Sequence, residues 1–495
     1  MAELTYEAWK RAAGAASPTG TAWIGGQARE ASGNKTFSTI NPATGEHIAE
    51  VAACDRVEVD AAVEAARGVF EEGLWAQAGP EARKQVMQRI ATLITKHADE
   101  LALLDSLEVG KCITEALDDV AEAAKLFHWF GELQDKVYDE VAPSEKGQLA
   151  TITHEPVGVV GAIVAWNYPL HNASVKLAPA LAAGNSVILK PAEDAPLSSI
   201  RLAELCTEAG LPPGVLNVVP GYGETAGYAL GTHDDVDAIG FTGSTEVGKA
   251  LLRGAGESNM KQVWLECGGK SPNIVFDDCA DLDAVADAAL ASIFTNAGQV
   301  CSAHSRLLVQ DDIKDVLIEK LVNKTASWRP GDPLDPQTTI GAIVNEAQHR
   351  KILDYIAEGT RRDRLLCGGN ACTVDGTGLF IEPTIFECTH PGHRIAREEI
   401  FGPVLTVFPF DTEDQALRLA NDSVYGLAAS LWTRSLKRAH RMTCRLHAGT
   451  VTVNAVDMVT PQTPFGGVKQ SGFGRDYSID GMRKYMVQKT SWICY

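Results

Sequence analysis

The chain has 495 residues, 45% of them hydrophobic and 22% charged, with 45 glycines, the composition of a folded chain long enough for about three structural units. Its net charge of −20 at pH 7 sets up a field that repels phosphate backbones and anionic membranes, so nucleic acid and membrane surfaces are excluded as expected partners. The amino terminus has no basic flank before an apolar stretch, and the longest apolar run, VGVVGAIVAW, is about half of the ~20 residues that span a bilayer; a cytoplasmic location is expected.

From Asp55 to Gly73 the apolar residues Val59, Ala62, Val63, Ala66, Val69 and Phe70 recur at three- and four-residue steps, the period of an amphipathic helix. Two more helices are predicted, over residues 81–97 and 116–130, so the opening region reads as mostly helical. LATITHE, residues 149–155, reads as a strand that belongs to neither neighbour. After Pro156 short apolar runs alternate with helical patterns: GVVGAIVAW, NSVILKP, VLNVVPG and AIGFTG. Such runs suit strands buried on both faces, joined by parallel crossovers, and predict a doubly wound α/β domain. Beyond Pro272 the alternation resumes in NIVF, RLLVQ, LTVFPF, AASLWT and TVTVN, with helices over 313–328 and 435–446, which predicts a second α/β domain. The chain closes on MVQKTSWICY, residues 486–495, whose Trp492, Ile493 and Tyr495 would make an adhesive edge if unpaired; a pairing partner is expected, a second subunit among the choices.

Eleven cysteines stand at positions 54, 112, 206, 267, 279, 301, 367, 372, 388, 444 and 494, and none has C-x-x-C spacing. A structural metal site has no support, and most are expected to be reduced, buried and inert. Cys301 differs, set in the polar, glycine-bearing stretch NAGQVCSAHSR. His304 is its near neighbour, but a histidine three residues away is not the distant Cys–His arrangement of thiol hydrolases. GYGETAG, residues 221–227, is one residue too long for the common dinucleotide fingerprint. FTGSTEVGK is better placed, because an apolar strand runs into Gly243 and a capping Ser244 or Thr245, a turn whose free N–H groups suit a pyrophosphate. A plain strand-to-helix turn explains that stretch equally well.

The order of the motifs is more specific than any one of them. AWNYP (165–169), LKPAE (189–193), FTGSTEVG (241–248), LECGGKSPN (265–273), FTNAGQVCSAHSR (to 306), EEIFGPV (398–404) and PFGGVKQSGFGR (464–475) follow one another in one chain. Over nearly its full length the chain resembles the aldehyde dehydrogenase superfamily. DKVYDEVA, ESNMKQVWLECGGKSPNIVF and LANDSVYGLAASLWTRSLKRAHRM make it most similar to the ω-aminoaldehyde branch, which includes γ-glutamyl-γ-aminobutyraldehyde dehydrogenases.

The resemblance implies a Rossmann-like NAD-binding domain over 1–138 and 157–268, an α/β catalytic domain over 269–468, and a small β oligomerisation arm from 139–156 and 469–495, in a dimer or dimer of dimers. It implies NAD as cofactor, with NADP tolerated, and a small aldehyde as substrate. Cys301 is the implied nucleophile, and sulfur suits both halves of the reaction: it is strongly nucleophilic, and the thioester left behind is open to water. Asn167 is the implied alkoxide donor, Glu266 the base for the hydrolytic water, and Lys176 a charge favouring the thiolate. Trp166, Lys190, Glu193, Gly223, Phe241, Gly243, Ser244, Gly268, Glu399 and Phe401 match cofactor-contacting positions. Cys267 stands where leucine is common, and Asp476 where many members carry glutamate.

For an amino- or guanidino-aldehyde, Asp118, Asp119 and Asp457 are the candidate carboxylates at the tunnel mouth, and Tyr168, His171 and Val456 candidate walls. Ordinary surface acids and ordinary packing explain the same residues. The rivals to the main reading are a betaine aldehyde or general aliphatic aldehyde dehydrogenase, a thiol esterase or acyltransferase using Cys301 with Glu266, and a non-catalytic protein on the same scaffold.

Overall fold

The computed structural model describes residues 4–495. Its first sheet has eight strands, in the spatial order Gln27–Arg29, Ala22–Ile24, Leu216–Val218, Ser186–Lys190, Val159–Ile163, Ala238–Gly243, Gln262–Cys267 and Gly472–Phe473. The five central strands are parallel, and both edges are antiparallel. Val159–Ile163 and Ser186–Lys190 are buried at every position, which is why they read as unbroken apolar runs rather than as alternation. The chain winds outward from Val159–Ile163 to one side, then returns beside it as Ala238–Gly243. Ligands bind outside the carboxyl ends of strands at such a reversal.

The second sheet has seven strands, in the order Arg364–Cys367, Thr384–Glu387, Val404–Phe410, Arg306–Gln310, Pro272–Val275, Ala428–Trp432 and Thr450–Val453. All of its pairings are parallel except that of Arg364–Cys367 with Thr384–Glu387. Each sheet has its own core, and the second is built around Phe276, Phe294, Phe386 and Phe410.

The opening region is less purely helical than its periodicity suggests. Helices Arg56–Glu71, Pro80–Lys96 and Ile113–Leu133 lie where the apolar repeat places them, but four short strands lie between residues 22 and 52. An additional helix, Ala98–Val109, is buried from Leu101 through Val109; with no solvent face it has no amphipathic repeat to read.

The terminal strand Met486–Cys494 finds its partner within its own chain, pairing antiparallel with Gln148–Pro156 along its whole length, with Glu140–Ala142 on the far side. This three-stranded arm is narrower than the segment expected from sequence, because Gly472–Phe473 joins the edge of the first sheet at Leu265 and Glu266. Among the described residues no helix is long and apolar enough to cross a membrane.

Candidate active site

The strand Val159–Ile163 runs out into Trp166 and Asn167, the strand Ala238–Gly243 into Ser244, and the strand Gln262–Cys267 carries Glu266 at its end. These carboxyl ends face a cavity of about 180 Å³ that Cys301 closes from the side of the second sheet. Asn167, Glu266 and Cys301 line it together, as do Trp166, Gly243, Ser244, Gly268, Glu399 and Phe401.

The turn that presents Cys301 has an uncommon backbone. Asn296, Ala297 and Gly298 all take left-handed φ values, 50°, 52° and 75°, a costly run for the alanine that persists only where the surroundings fix it. The Asn296 side chain donates to Asn167 O at 2.9 Å, and its N–H donates to the Glu115 carboxylate at 3.1 Å. Gln299 Oε1 accepts from Val344 N at 3.0 Å. A Cβ on Gly298 would stand 2.2 Å from the Gly402 backbone, and one on Gly269 would stand 2.6 Å from Cys301 O. The sulfur is thus held by a loop packed tightly on both sides.

Asn167 Nδ2 donates to Gln299 O at 2.9 Å and Oδ1 accepts from Asn172 at 3.2 Å. One amide hydrogen remains to be donated, and the Cys301 N–H has no acceptor among the described residues. Burial pushes the Cys301 thiol above its ordinary range, and Glu266, Glu399 and Asp457 add to the effect while the Ser302 N–H opposes it. The group is therefore a thiol at rest. Lys176, expected to act on that sulfur, instead donates to Asp476 Oδ2 at 2.6 Å. Burial first, then Asp476, pushes the Glu266 carboxyl up to about 8, and its Oε1 is buried without a partner.

His304 is committed elsewhere, its Nδ1 to Ser292 Oγ at 2.9 Å and its Nε2 to Ser430 Oγ at 2.8 Å. With both ring nitrogens occupied, it is no base for Cys301.

The cleft beside Cys301 has the features of a site for an elongated phosphorylated ligand. Ser244 caps the helix Thr245–Glu257, accepting from Val247 N at 3.3 Å, and the remaining N–H groups of that first turn suit a diphosphate. A Cβ on Gly268 would lie 2.0 Å from Glu399 Oε2, so only glycine lets that carboxylate reach Gly269 N, which it does at 2.9 Å. Phe401, at a left-handed φ of 60°, meets Trp166 edge-on with ring centroids 5.3 Å apart. Lys190 Nζ donates to Glu193 Oε2 at 2.9 Å; burial raises the Glu193 carboxyl, but Lys190 and the Gly223 N–H outweigh it and hold the group below its ordinary range. Phe241, by contrast, is a core residue on which Gly243 packs. Cys267, Gln348 and Lys351 also line the cavity, and nothing in their local sequence marks Gln348 or Lys351.

The candidate substrate residues separate. Asp118 is exposed. Asp119 is buried and paired with Lys111, whose ammonium sits 3.6 Å from the Tyr168 ring centroid. Asp457, at φ 46°, accepts from Ser292 Oγ at 3.2 Å through Oδ2, while its Oδ1 is buried with no partner. Val456 packs against the second core. His171 Nε2 meets Tyr477 OH at 2.9 Å, and an edge-on aromatic series runs Tyr168–His171–Tyr477–Phe465.

Residues 28–491 match the model of the aldehyde dehydrogenase family. The NADP/NAD-dependent aldehyde dehydrogenase PuuC of Escherichia coli K12 is 52% identical over 472 residues, 95% of each chain. The crystal structure of γ-glutamyl-γ-aminobutyraldehyde dehydrogenase from Burkholderia cenocepacia superposes with a TM-score of 0.98 at 50% identity, over 99% of this chain and 100% of that one. The P. syringae AldA indole-3-acetaldehyde dehydrogenase, a cysteine-to-alanine mutant in complex with NAD+ and IAA, gives a TM-score of 0.99 at 49% identity over 100% of both chains.

Proposed function

The chain belongs to the aldehyde dehydrogenase family, and from that premise we propose that it oxidises an ω-aminoaldehyde to the carboxylic acid through a covalent adduct on Cys301. NAD-dependent aldehyde oxidation is its reaction. The observation that carries the residue assignment is the convergence of Cys301, Asn167 and Glu266 on one cavity continuous with the glycine-floored cleft.

Cys301 adds to the carbonyl carbon as the thiolate, its proton passing to solvent, to give a tetrahedral alkoxide. The free amide hydrogen of Asn167 and the Cys301 N–H donate to that oxygen. Trp166, Ser244, Gly268, Glu399 and Phe401 would hold the nicotinamide and diphosphate portions of NAD, and Lys190 with Glu193 and Gly223 the adenosine ribose. Bound there, NAD supplies the two-electron acceptor. The thioester left on Cys301 is cleaved by water, whose proton Glu266 takes as the bond to carbon forms. A carboxylate at Glu193 disfavours a 2′-phosphate, and its pairing with Lys190 softens that bias, so NAD is preferred and NADP tolerated.

For the amino group of the substrate, Asp457 is the best-placed reader. Asp119 is already neutralised by Lys111 and Asp118 faces solvent, whereas Asp457 Oδ1 is a buried acceptor with nothing to accept from. The similarity to γ-glutamyl-γ-aminobutyraldehyde dehydrogenase supports this class. A second reading, an arylacetaldehyde, is favoured by the aromatic series along Tyr168, His171, Tyr477 and Phe465 and by the likeness to an indole-3-acetaldehyde dehydrogenase. NADH formation across a panel of γ-aminobutyraldehyde, its γ-glutamyl derivative, butyraldehyde and indole-3-acetaldehyde separates them. The aminoaldehyde reading requires the highest kcat/KM for a nitrogen-bearing chain and the selective loss of that preference in Asp457→Asn.

The chain is read as a cytoplasmic homo-oligomer, a dimer or dimer of dimers. Eleven free cysteines suit a reducing compartment, and the open edge of the arm suits a second copy.

A further inference from the structure

Behind Glu266 lies a buried charge cluster that the mechanism does not account for. Asp476 is bracketed by two ammonium groups: Lys176 Nζ donates to Oδ2 at 2.6 Å and Lys484 Nζ to Oδ1 at 2.5 Å. The side chains of Lys176, Asp476 and Lys484 are 1%, 3% and 8% exposed. One lysine would neutralise the aspartate, so two leave a surplus positive charge out of water, an arrangement that costs stability unless another anion shares it.

The backbone shows that the arrangement is held in place. Asp476 N donates to Phe465 O at 2.7 Å and Phe465 N to Asp476 O at 2.9 Å. Tyr477 and Ser478 then take left-handed φ values of 57° and 49°, which start the short helix Ser478–Arg483 and bring Lys484 back over the carboxylate. The Lys484 ammonium lies over the Tyr485 ring, 5.0 Å from its centroid.

The acid positioned to share the surplus charge is Glu266. It is buried, its Oε1 lacks a partner, and Oε2 lies on the side of Gly466, where a Cβ would stand 3.2 Å away. The groups facing it are Asp476, Lys484 and Arg475 from the C-terminal segment, Lys176 from the helix Pro169–Ala182, and the Cys301 and Cys267 thiols. Arg475 is occupied by Gly467 O at 2.9 Å and Gly474 O at 2.6 Å.

We propose that Lys484 is a positioning residue for the hydrolytic half-reaction: by holding Asp476 Oδ1 it frees part of the Lys176 charge and keeps Glu266 available as a carboxylate. The proposal rests on the reading of Glu266 as the base. Lys484 touches neither substrate nor sulfur and acts through Asp476.

The test is the pH profile of kcat, with the pre-steady-state burst of NADH recorded to separate acylation from hydrolysis, in Lys484→Met, Lys484→Gln and Lys484→Arg. Both neutral variants move the acid limb of kcat up by about one pH unit, with the burst amplitude and KM kept, and Lys484→Arg restores the limb. Asp476→Asn, which removes the acid and leaves both ammonium groups, moves the limb down and supplies the answer where Lys484→Met does not fold. A limb that stays in place in the neutral Lys484 variants, or that moves up in Asp476→Asn, overturns the proposal. Glu266→Gln is the control: if it keeps the limb, the assignment of Glu266 as base fails; if it abolishes the limb while the Lys484 variants leave it unmoved, only the role of Lys484 fails.

Discussion

The side-chain amide of Asn167 donates to the backbone carbonyl of Gln299 at 2.9 Å, and the Asn296 amide returns a bond to the Asn167 carbonyl at 2.9 Å. These two bonds join the end of a strand in the first sheet to the turn carrying Cys301, so Asn167, the proposed alkoxide donor, and Cys301, the proposed nucleophile, keep their spacing across the boundary between two cores. The bond to Gln299 uses one amide hydrogen and orients the other.

Asn167→Ala removes a donor to the alkoxide, and kcat falls by about 10²–10³. Gln299 O and the Asn172 amide lose a partner, which costs about 1–3 kcal/mol, so the protein still folds. Stopped-flow NADH traces show slowed acylation with an intact thermal unfolding transition. A near-normal burst rate would remove Asn167 from the oxyanion site.

Glu266 must be a carboxylate to take a proton from water, and burial followed by Asp476 raises its carboxyl to about 8. A raised acid is protonated below that value, so kcat rises with pH through about 8 when hydrolysis limits turnover, and levels off above it. Glu266→Gln retains the NADH burst and loses steady turnover. A flat kcat between pH 6 and 9, pH values bracketing the one above, would contradict this assignment.

The parallel strands were legible because burial on both faces leaves an apolar run that polar helices interrupt. Cys301, Asn167 and Glu266 were legible because each stands in an ordered series of motifs. The helix Ala98–Val109 was hidden by its burial on every side, and the strands Ala22–Ile24 and Gln27–Arg29 are too short to carry an alternation. The pairing of Val487 with Glu155 joins positions 332 residues apart (487 minus 155), and no local pattern encodes such a contact. Ala297 gives no hint of a left-handed backbone, because its φ is imposed by the packing of Gly298 on Gly402 and of Gly269 on Cys301. Lys484 looks like an ordinary surface charge until Tyr477 and Ser478 fold it over Asp476.

Gly268→Ala places a methyl 2.0 Å from Glu399 Oε2. The carboxylate is the end of a flexible side chain and swings aside, giving up its bond to Gly269 N, so the fold survives and the cofactor cleft deforms. NAD affinity falls by on the order of tenfold or more, equivalent to about 1.4 kcal/mol, while iodoacetamide still alkylates Cys301. Titration calorimetry checks the first, and mass spectrometry of the modified peptide the second.

Glu193→Gln removes the charge that would repel a 2′-phosphate and leaves the Lys190 ammonium unpaired. The ratio of kcat/KM for NADP to that for NAD rises by on the order of tenfold. An unchanged ratio would show that Glu193 does not read the ribose.

The arm has a long open edge. Met486–Cys494 pairs with Gln148–Pro156 on one side only; Trp492 and Ile493 on it, and Tyr495 just after it, are 58%, 53% and 86% exposed. Unpaired N–H and C=O groups beside exposed apolar side chains are a template for another strand or sheet. Deleting the segment after Met486 exposes Gln148–Pro156 as well, so loss of assembly would be mixed with a second unpaired edge. Ile493→Lys is cleaner, because it keeps the intrachain pairing with Leu149 and puts a charge where a second copy would pack. It lowers the sedimentation coefficient toward that of a smaller species while the far-ultraviolet spectrum stays unchanged. A sedimentation coefficient equal to that of the parent protein would place the subunit contact away from this edge.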